Sequence, residues 1–324
     1  MIVSKPLVSL GVPVYNGERF IRRVLDSLVG QTYQDLEIVI SDNASTDRTA
    51  EICQEYANRD RRIRYSCNAK NLGLPANWRR VFEISSGDYF AWTGADDVRP
   101  PTFVEDCMAA LVRQKGAVMA YGPVIARAQA GEELVEVLGE ARISATQVAE
   151  RVCTFTHGLR HNALLYGLYR RDALAKTTYV PRGYGKDYLL CLQMCVLGTL
   201  AYVSTPMIVY RERTQLPRTS PMPENVSITA MSLLRAGRGK KKSWRVLLMG
   251  CYYLFTIRDT SLSQRLAGIA AHVSAFSQRH YARLAKDVVF LLFWPLNALS
   301  RRLTQRWPRS LRLARRLRAL VTRA

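Results

Sequence analysis

The sequence contains no Cys-x-x-Cys pair, and its seven cysteines (53, 67, 107, 153, 191, 195 and 251) are scattered and odd in number. This usage argues against a zinc site or a disulfide framework and for reduced thiols in a cytosolic setting. Cys191 and Cys195 lie four apart on an expected helix, where free cysteines more often pack as small hydrophobes than serve as ligands. No GxGxxG follows the first apolar stretch and no GxxxxGKS or GxxxxGKT occurs, so the dinucleotide and P-loop classes have no support. Histidine is scarce. Of four, His157 and His161 are spaced to share a helix face, but no third metal ligand is spaced nearby, which leaves acceptor contact as their functional use. Two apolar stretches, Val246–Ile257 and Val288–Leu299, are 12 residues each, and the second contains Pro295. Both fall short of the ~20 residues a spanning helix needs. The opening Met1-Ile2-Val3-Ser4-Lys5-Pro6 lacks a signal peptide's apolar core and cleavage site and reads as the approach to a strand.

Positive charge is abundant but unevenly placed. The net charge is +21, yet from Arg235 onward 20 lysines and arginines face only Asp259 and Asp287. The first 234 residues hold 27 basic and 24 acidic side chains, so the composition shift near 232–242 marks a boundary. Within 301–324, Leu303, Trp307, Leu311, Ala314, Leu317 and Val321 recur at helical spacing while arginines crowd the other faces. Such a segment suits an anionic membrane interface. The plainer alternative is a helix docked on its own domain with a solvated charged face. Nucleic-acid binding would call for interleaved aromatic stacking positions, and Trp307 stands almost alone, so no nucleic-acid partner is expected.

The first half alternates between two periods. Leu7–Val12, Leu36–Ser41, Ile63–Ser66, Tyr89–Thr93 and Ala117–Tyr121 are short, apolar and rich in β-branched or aromatic residues, as buried strands are. Between them run helical stripes, such as Phe20, Ile21, Val24, Leu25 and Leu28, or Trp78, Val81, Phe82 and Ile84. A further helix is expected over about 102–114, and a strand over Asn162–Tyr169. Alternation of this kind predicts an α/β fold with a mostly parallel sheet covered by helices on both faces. Ligands of such sheets bind beyond the carboxyl ends of the strands. Three strand ends carry polar or turn clusters, Pro13–Asn16, Asp42–Ser45 and Gly94–Asp97, and these are expected to converge on one crevice.

Each cluster has two readings. Ser45, Thr46 and Asp47 suit the N-terminus of the next helix as caps, whereas Asp42 stands earlier, at the strand end. Asp96 and Asp97 either begin the helix after Pro100-Pro101 or hold a hard divalent cation. Mg²⁺ or Mn²⁺ takes carboxylates together with phosphate oxygens of a substrate and neutralises the charge that grows as a diphosphate departs. Trp78 and Trp92 read as core or cleft wall.

Four ordered stretches, Val8-Ser9-Leu10-Gly11-Val12-Pro13-Val14-Tyr15-Asn16-Gly17, Ile38–Asp47 (IVISDNASTD), Asn71-Leu72-Gly73 and Gly87-Asp88-Tyr89-Phe90 through Asp96-Asp97, resemble the motifs of family 2 glycosyltransferases with the GT-A fold. The similarity is dense over about 6–122 and thinner to about 215. The resemblance implies a GT-A type, Rossmann-like sheet and an inverting transfer of sugar from a nucleotide diphosphate, with Mg²⁺ or Mn²⁺. By position, Pro13, Tyr15, Asn16, Asp42, Asn71, Ala95 and Asp96 would line the nucleotide-sugar pocket. Asp96, aided by Asp97, would meet the metal. The chain departs from the family's Asp-x-Asp, since Gly94 occupies the first acidic position. Gly185-Lys186-Asp187-Tyr188 resembles the family's Glu-Asp segment near the acceptor, with Lys186 where the first acid usually stands. Asp187 would be the general base, its plainer role being a helix cap. Tyr210-Arg211-Glu212-Arg213 falls where relatives carry Tyr-Arg-x-His, and Arg213 would pair with phosphate rather than ligate metal.

The expected organisation is a glycosyltransferase domain over 1–234, comprising a nucleotide-binding part (1–122) and an acceptor part (123–234), followed by a basic helical region (235–324) that associates with membrane. The expected partners are a nucleotide-sugar donor of UDP or dTDP type, a glycan acceptor that is a candidate for lipid linkage, and an anionic membrane surface. The expected location is peripheral, on the cytoplasmic face. A catalytically silent scaffold subunit is the alternative that Gly94, Lys186 and Arg213 motivate.

Overall fold

The structure is a computed structural model and describes residues 5–127, 135–138, 142–158, 163–177, 186–211 and 243–278. The first half runs β1 (Val8–Val14), α1 (Ile21–Val29), β2 (Leu36–Asp42), α2 (Thr49–Arg59), β3 (Ile63–Cys67), α3 (Leu74–Glu83), β4 (Tyr89–Trp92), α4 (Phe103–Arg113) and β5 (Ala117–Tyr121). The second continues through β6 (Val124–Arg127), β7 (Val135–Leu138), α5 (Val148–Gly158), a 3-10 turn (Ala163–Tyr166), β8 (Leu168–Arg170), α6 (Arg171–Ala175), α7 (Lys186–Leu197), β9 (Thr199–Tyr202) and β10 (Val209–Arg211). Two helices follow, α8 (Ser243–Phe255) and α9 (262–278).

Seven strands form one sheet in the order β3-β2-β1-β4-β8-β5-β9, and β10-β6-β7 form a second. β1 is parallel to both β2 and β4, and β2 is parallel to β3. Only β8 runs against its neighbours in the large sheet. β1, β2 and β4 are buried along their whole length, which explains why their sequences are near-continuous apolar runs rather than alternating ones. Residues on one face of the sheet (Leu10, Val12, Ile38, Ile40, Ala91) pack with α1 and α4. Those on the other (Val39, Phe90, Trp92, Met119, Tyr121) pack with α3, α5 and α7. This is the two-faced α/β sandwich that the alternation predicts.

One expected strand is corrected. Asn162–Tyr169 does not extend throughout: Ala163–Tyr166 is a 3-10 turn, and only Leu168–Arg170 pairs, wedged antiparallel between β4 and β5. The apolar run Ala163-Leu164-Leu165-Tyr166 carries no period of two, and Leu164 is buried while accepting the Tyr169 hydroxyl at 2.8 Å. His161, Gly185, Arg213, the Val288–Leu299 stretch and residues 301–324 lie outside the described residues.

α7 is apolar nearly all round and buried from Asp187 to Val196, with Cys191 and Cys195 as packed thiols. Behind its first turn, Tyr188 meets His272 of α9, hydroxyl to Nδ1 at 3.3 Å. Burial pushes the His272 imidazole down to about 4, against a smaller upward pull from a backbone hydrogen bond at Leu247. The folded state therefore binds fewer protons than the unfolded one below the ordinary histidine value. The stability that rests on neutral His272 is fully present above pH ~6.5 and is lost as pH falls toward ~4. The total loss is about 3 kcal/mol. Urea unfolding at pH ~7 and pH ~4.5 should show His272→Phe losing less stability on acidification than the wild type.

Candidate active site

The carboxyl ends of β2, β1 and β4 stand side by side. Val14 is in register with Asp42, and Gly11 with Trp92. The loops leaving β1 and β2 are laced together. Asn16, at φ 50°, donates its backbone N–H to Ser45 Oγ at 2.9 Å and accepts the Thr46 N–H on its own Oδ1 at 2.9 Å. Gly17 donates to Thr49 Oγ1 at 2.8 Å and Glu18 to Asp47 Oδ2 at 3.1 Å. Of the expected caps, only Asp47 serves the start of α2, accepting the Thr49 N–H at 3.0 Å. Ser45 turns inward instead.

Asp42 is wholly buried. One carboxylate oxygen accepts the Ser45 N–H at 2.9 Å and hydroxyl at 2.6 Å, and the other accepts the Tyr65 hydroxyl at 2.8 Å. Burial and this bond raise the Tyr65 phenol well above its ordinary value. Pro13 is buried within β1 while Tyr15, the next outward step, is 49% exposed. Asp42 and Pro13 thus form the floor beneath the strand ends, and Tyr15 stands at the rim. Asn71 is exposed and stands with Tyr15 at the rim: its Oδ1 accepts from Asn43 Nδ2 and from the Gly73 N–H, each at 2.8 Å. Gly73 holds φ 79°, a backbone region open to glycine, and so turns the chain into α3.

Sequence reading missed the asparagine network that ties these loops together. Asn43 Oδ1 accepts from Asn68 Nδ2 and the Leu72 N–H, while Asn77 Oδ1 accepts from Asn68 Nδ2 and Ser41 Oγ. Its signal was present: Asn77 interrupts the buried stripe of α3, where an unpaired polar side chain is costly.

At the end of β4 the acidic pair closes a tight turn. The Asp97 N–H donates to the Gly94 carbonyl at 3.1 Å, and Asp97 Oδ2 accepts the Gly94 N–H at 3.2 Å. The helix-start alternative fails, since Val104 at the head of α4 donates to Gln31 Oε1 at 3.2 Å. Asp97 is buried, with Ala95 and Asp96 partly exposed beside it. Burial and the neighbouring charge of Asp96 push the Asp97 carboxyl up to about 7, with Arg99 pulling the other way. A Cβ at position 94 would stand 2.5 Å from Asp97 Oδ2, so a side chain there would require the Asp97 carboxylate to shift.

The cation beside the acidic pair is Arg99, 1% exposed. Its guanidinium donates to Thr93 Oγ1 at 3.1 Å, to the Tyr166 and Met207 carbonyls at 2.6 Å each, and to the Trp92 carbonyl. It also lies 4.0 Å from the centroid of the Phe103 ring. Arg99 therefore locks the end of β4 to the 3-10 turn and to the segment leading into β10. Lysine cannot fork to four acceptors. Arg99→Lys should lower unfolding free energy by about 3 kcal/mol, measured by urea denaturation.

Asp187 is buried at the first turn of α7. Burial raises the Tyr169 phenol most, Cys191 adds to it, Arg99 pulls the other way, and the charge of Asp187 adds a smaller rise. The Tyr169 ring packs edge-on to Trp92 at 5.8 Å, and Trp92 stacks on Trp78 at 5.9 Å. Tyr169 thus packs on the last residue of β4 and feels the charge of Asp187. Among the described residues, no group of three or more His, Cys, Asp or Glu could hold a metal. Any cation at this turn would have two protein carboxylates, Asp96 and Asp97, and would take its other ligands from substrate or water.

Comparison with known proteins identifies the fold and the family. A glycosyltransferase of Haemophilus influenzae is 28% identical over 214 residues, covering 64% of this chain and 65% of that protein. Glycosyltransferase GlyA of Streptococcus pneumoniae is 31% identical over 215 residues, 64% of this chain and 30% of GlyA. The chain thus spans less than two thirds of the length of these relatives. Among solved structures, residues 1–349 of S. aureus TarS in complex with UDP superpose with a TM-score of 0.57 at 16% identity, covering 85% of this chain and 72% of TarS. The TarS complex with UDP-GlcNAc gives the same score at 15% identity. These superpositions establish the GT-A fold. The model of the family described as "Glycosyl transferase family 2" matches residues 9–177, more than half of the sequence, and the chain belongs to that family.

Proposed function

We propose that this protein is an inverting glycosyltransferase that moves a sugar from a nucleoside diphosphate to an acceptor hydroxyl. The observation that carries the reading is the adjacency of three parallel strand ends, with the buried acidic turn of β4 beside the floor built on Asp42. Tyr15, Asn16, Asn71 and Ala95 border the donor pocket, above Pro13 and Asp42. The turn suits Mg²⁺ or Mn²⁺: two hard carboxylate donors sit together, and burial makes the second negative charge costly until a cation meets it. Asp96 and Asp97 would hold that ion, which when bound supplies charge neutralisation to the departing diphosphate. Asp97 also answers the departure at Gly94. Its carboxylate fills the space into which a side chain at 94 would project, so the second acid of the pair stands in for the family's first.

Asp187, buried at the head of α7, takes the proton from the attacking acceptor hydroxyl. Proton transfer by a positioned carboxylate is worth about 10²–10⁴ in rate. The donor is of UDP or dTDP type, consistent with the UDP-bound TarS fold neighbour. The acceptor is a glycan on a lipid carrier, and the protein meets the cytoplasmic face of an anionic membrane through 235–324. The charge of that region supports this, and no helix among the described residues is long and apolar enough to cross a membrane. Calorimetric titration with UDP, dTDP, GDP and CDP, each with and without Mn²⁺, tests the donor site. Metal-dependent binding of one nucleotide is expected. Binding of none by folded protein would favour the scaffold reading.

A further inference from the structure

We propose that α8 and α9 form a paired docking face for an anionic lipid bilayer, the apolar side chains of both helices entering below the headgroups. The inference rests on the membrane reading above and assigns it to described residues. Each helix carries two apolar stripes. The inner ones are buried: Leu254 follows Gly250 on α8, and Ala271, Ala275 and Phe276 line α9. α9 is seated on the body of the protein, since Gly268 faces Val196 of α7 and Val148 of α5. Among the described residues the outer stripes are not covered in this way. Leu248, Tyr252 and Phe255 on α8, and Leu262, Leu266 and Val273 on α9, are each between 39% and 63% exposed.

Their spacing makes them surfaces rather than scattered residues. Positions 248, 252 and 255 fall within one face of a helix, as do 262, 266 and 273. A solvated helix normally turns charge outward opposite its buried stripe. These helices turn aromatic and aliphatic side chains outward instead, and the large exposed hydrophobics of the described chain concentrate here.

Charge selects the occupant. The region from Arg235 onward has 20 basic residues against two acidic ones, and Asp259, at the turn between the helices, is the one acid in 243–278. Within 243–278 the sequence sets Arg245, Arg258 and Arg265 against that acid, and apolar stripes in so basic a stretch of sequence match a bilayer with anionic headgroups. A second copy of this chain would bring an equally basic stretch against the first, which opposes self-association.

The test uses the full chain and a variant carrying Tyr252→Ser, Phe255→Ser and Leu266→Ser. All three side chains are more than half exposed, so folding should survive, and circular dichroism melting verifies it. Co-sedimentation is measured with vesicles of phosphatidylcholine alone and of phosphatidylcholine mixed with phosphatidylglycerol. The wild type should bind the anionic vesicles preferentially, and the triple variant should lose at least about tenfold in partitioning. Equal binding by the two proteins would overturn the docking face while leaving membrane association to the arginine-rich segment. Failure of the wild type to bind either vesicle would overturn both readings. A wild-type dimer that the triple variant converts to monomer, with lipid binding unchanged, would assign the stripes to a second copy and also overturn the proposal.

Discussion

Asp187→Asn should lower kcat by about 10²–10⁴ while leaving nucleotide affinity within about twofold. The asymmetry follows from where the residue sits. Asp187 belongs to α7, a helix buried among α5, α8 and α9, whereas the proposed nucleotide pocket lies at the ends of β1, β2 and β4. The amide is isosteric and removes only the capacity to accept a proton. That separates a chemical role from a structural one. A helix cap converted to Asn would leave the rate intact, since Asn caps as well as Asp. The measurement is nucleoside diphosphate release from the donor identified by calorimetry, with membrane extract as the acceptor source, alongside nucleotide titration and urea unfolding of both proteins. A variant with wild-type turnover would remove Asp187 from the reaction.

How much of this site was legible depends on whether a residue belongs to a pattern. The strands β1, β2 and β4 announce themselves because strands buried on both faces must be apolar without interruption, and their polar ends then mark the crevice by contrast. Asp96 and Asp97 stand out for the same reason. Arg99 does not. A single arginine three residues beyond an aspartate looks like any surface charge, and only the fold brings the Tyr166 and Met207 carbonyls to it from 67 and 108 residues away. Asn43 and Asn68 are likewise individually unremarkable loop residues, and although Asn77 marks itself by interrupting the stripe of α3, the role the three share exists only once β2, β3 and α3 are assembled. The strand expected over Asn162–Tyr169 failed because a four-residue apolar run fits a buried 3-10 turn as readily as a strand. The α8 stretch is an intermediate case. Its length argued against a span, but nothing in the linear pattern separates the buried Leu254 from the exposed Tyr252 and Phe255; that needs the position of α7.

Asp96→Ala should abolish the metal-dependent part of nucleotide binding and lower kcat/KM by about 10³-fold. The expectation rests on geometry that leaves no substitute. Position 94 is glycine and supplies no carboxylate, and Asp97 Oδ2 occupies the space a Cβ there would enter. Among the described residues no third acidic, histidine or cysteine side chain joins the pair. With Asp96 gone, Asp97 would face a cation alone from a buried position, one oxygen already accepting the Gly94 N–H. The same substitution has a second consequence. The Asp96 charge helps to push the Asp97 carboxyl up to about 7, so its removal relieves that repulsion and should leave the apoprotein as stable as before or slightly more so. Loss of metal-dependent binding without loss of stability is the combined signature. It is read by titrating UDP with and without Mn²⁺ into both proteins and comparing their urea midpoints. If Asp96→Ala kept full metal-dependent affinity, the cation would have to be held elsewhere, and the turn after β4 would be only the brace that Arg99 makes of it.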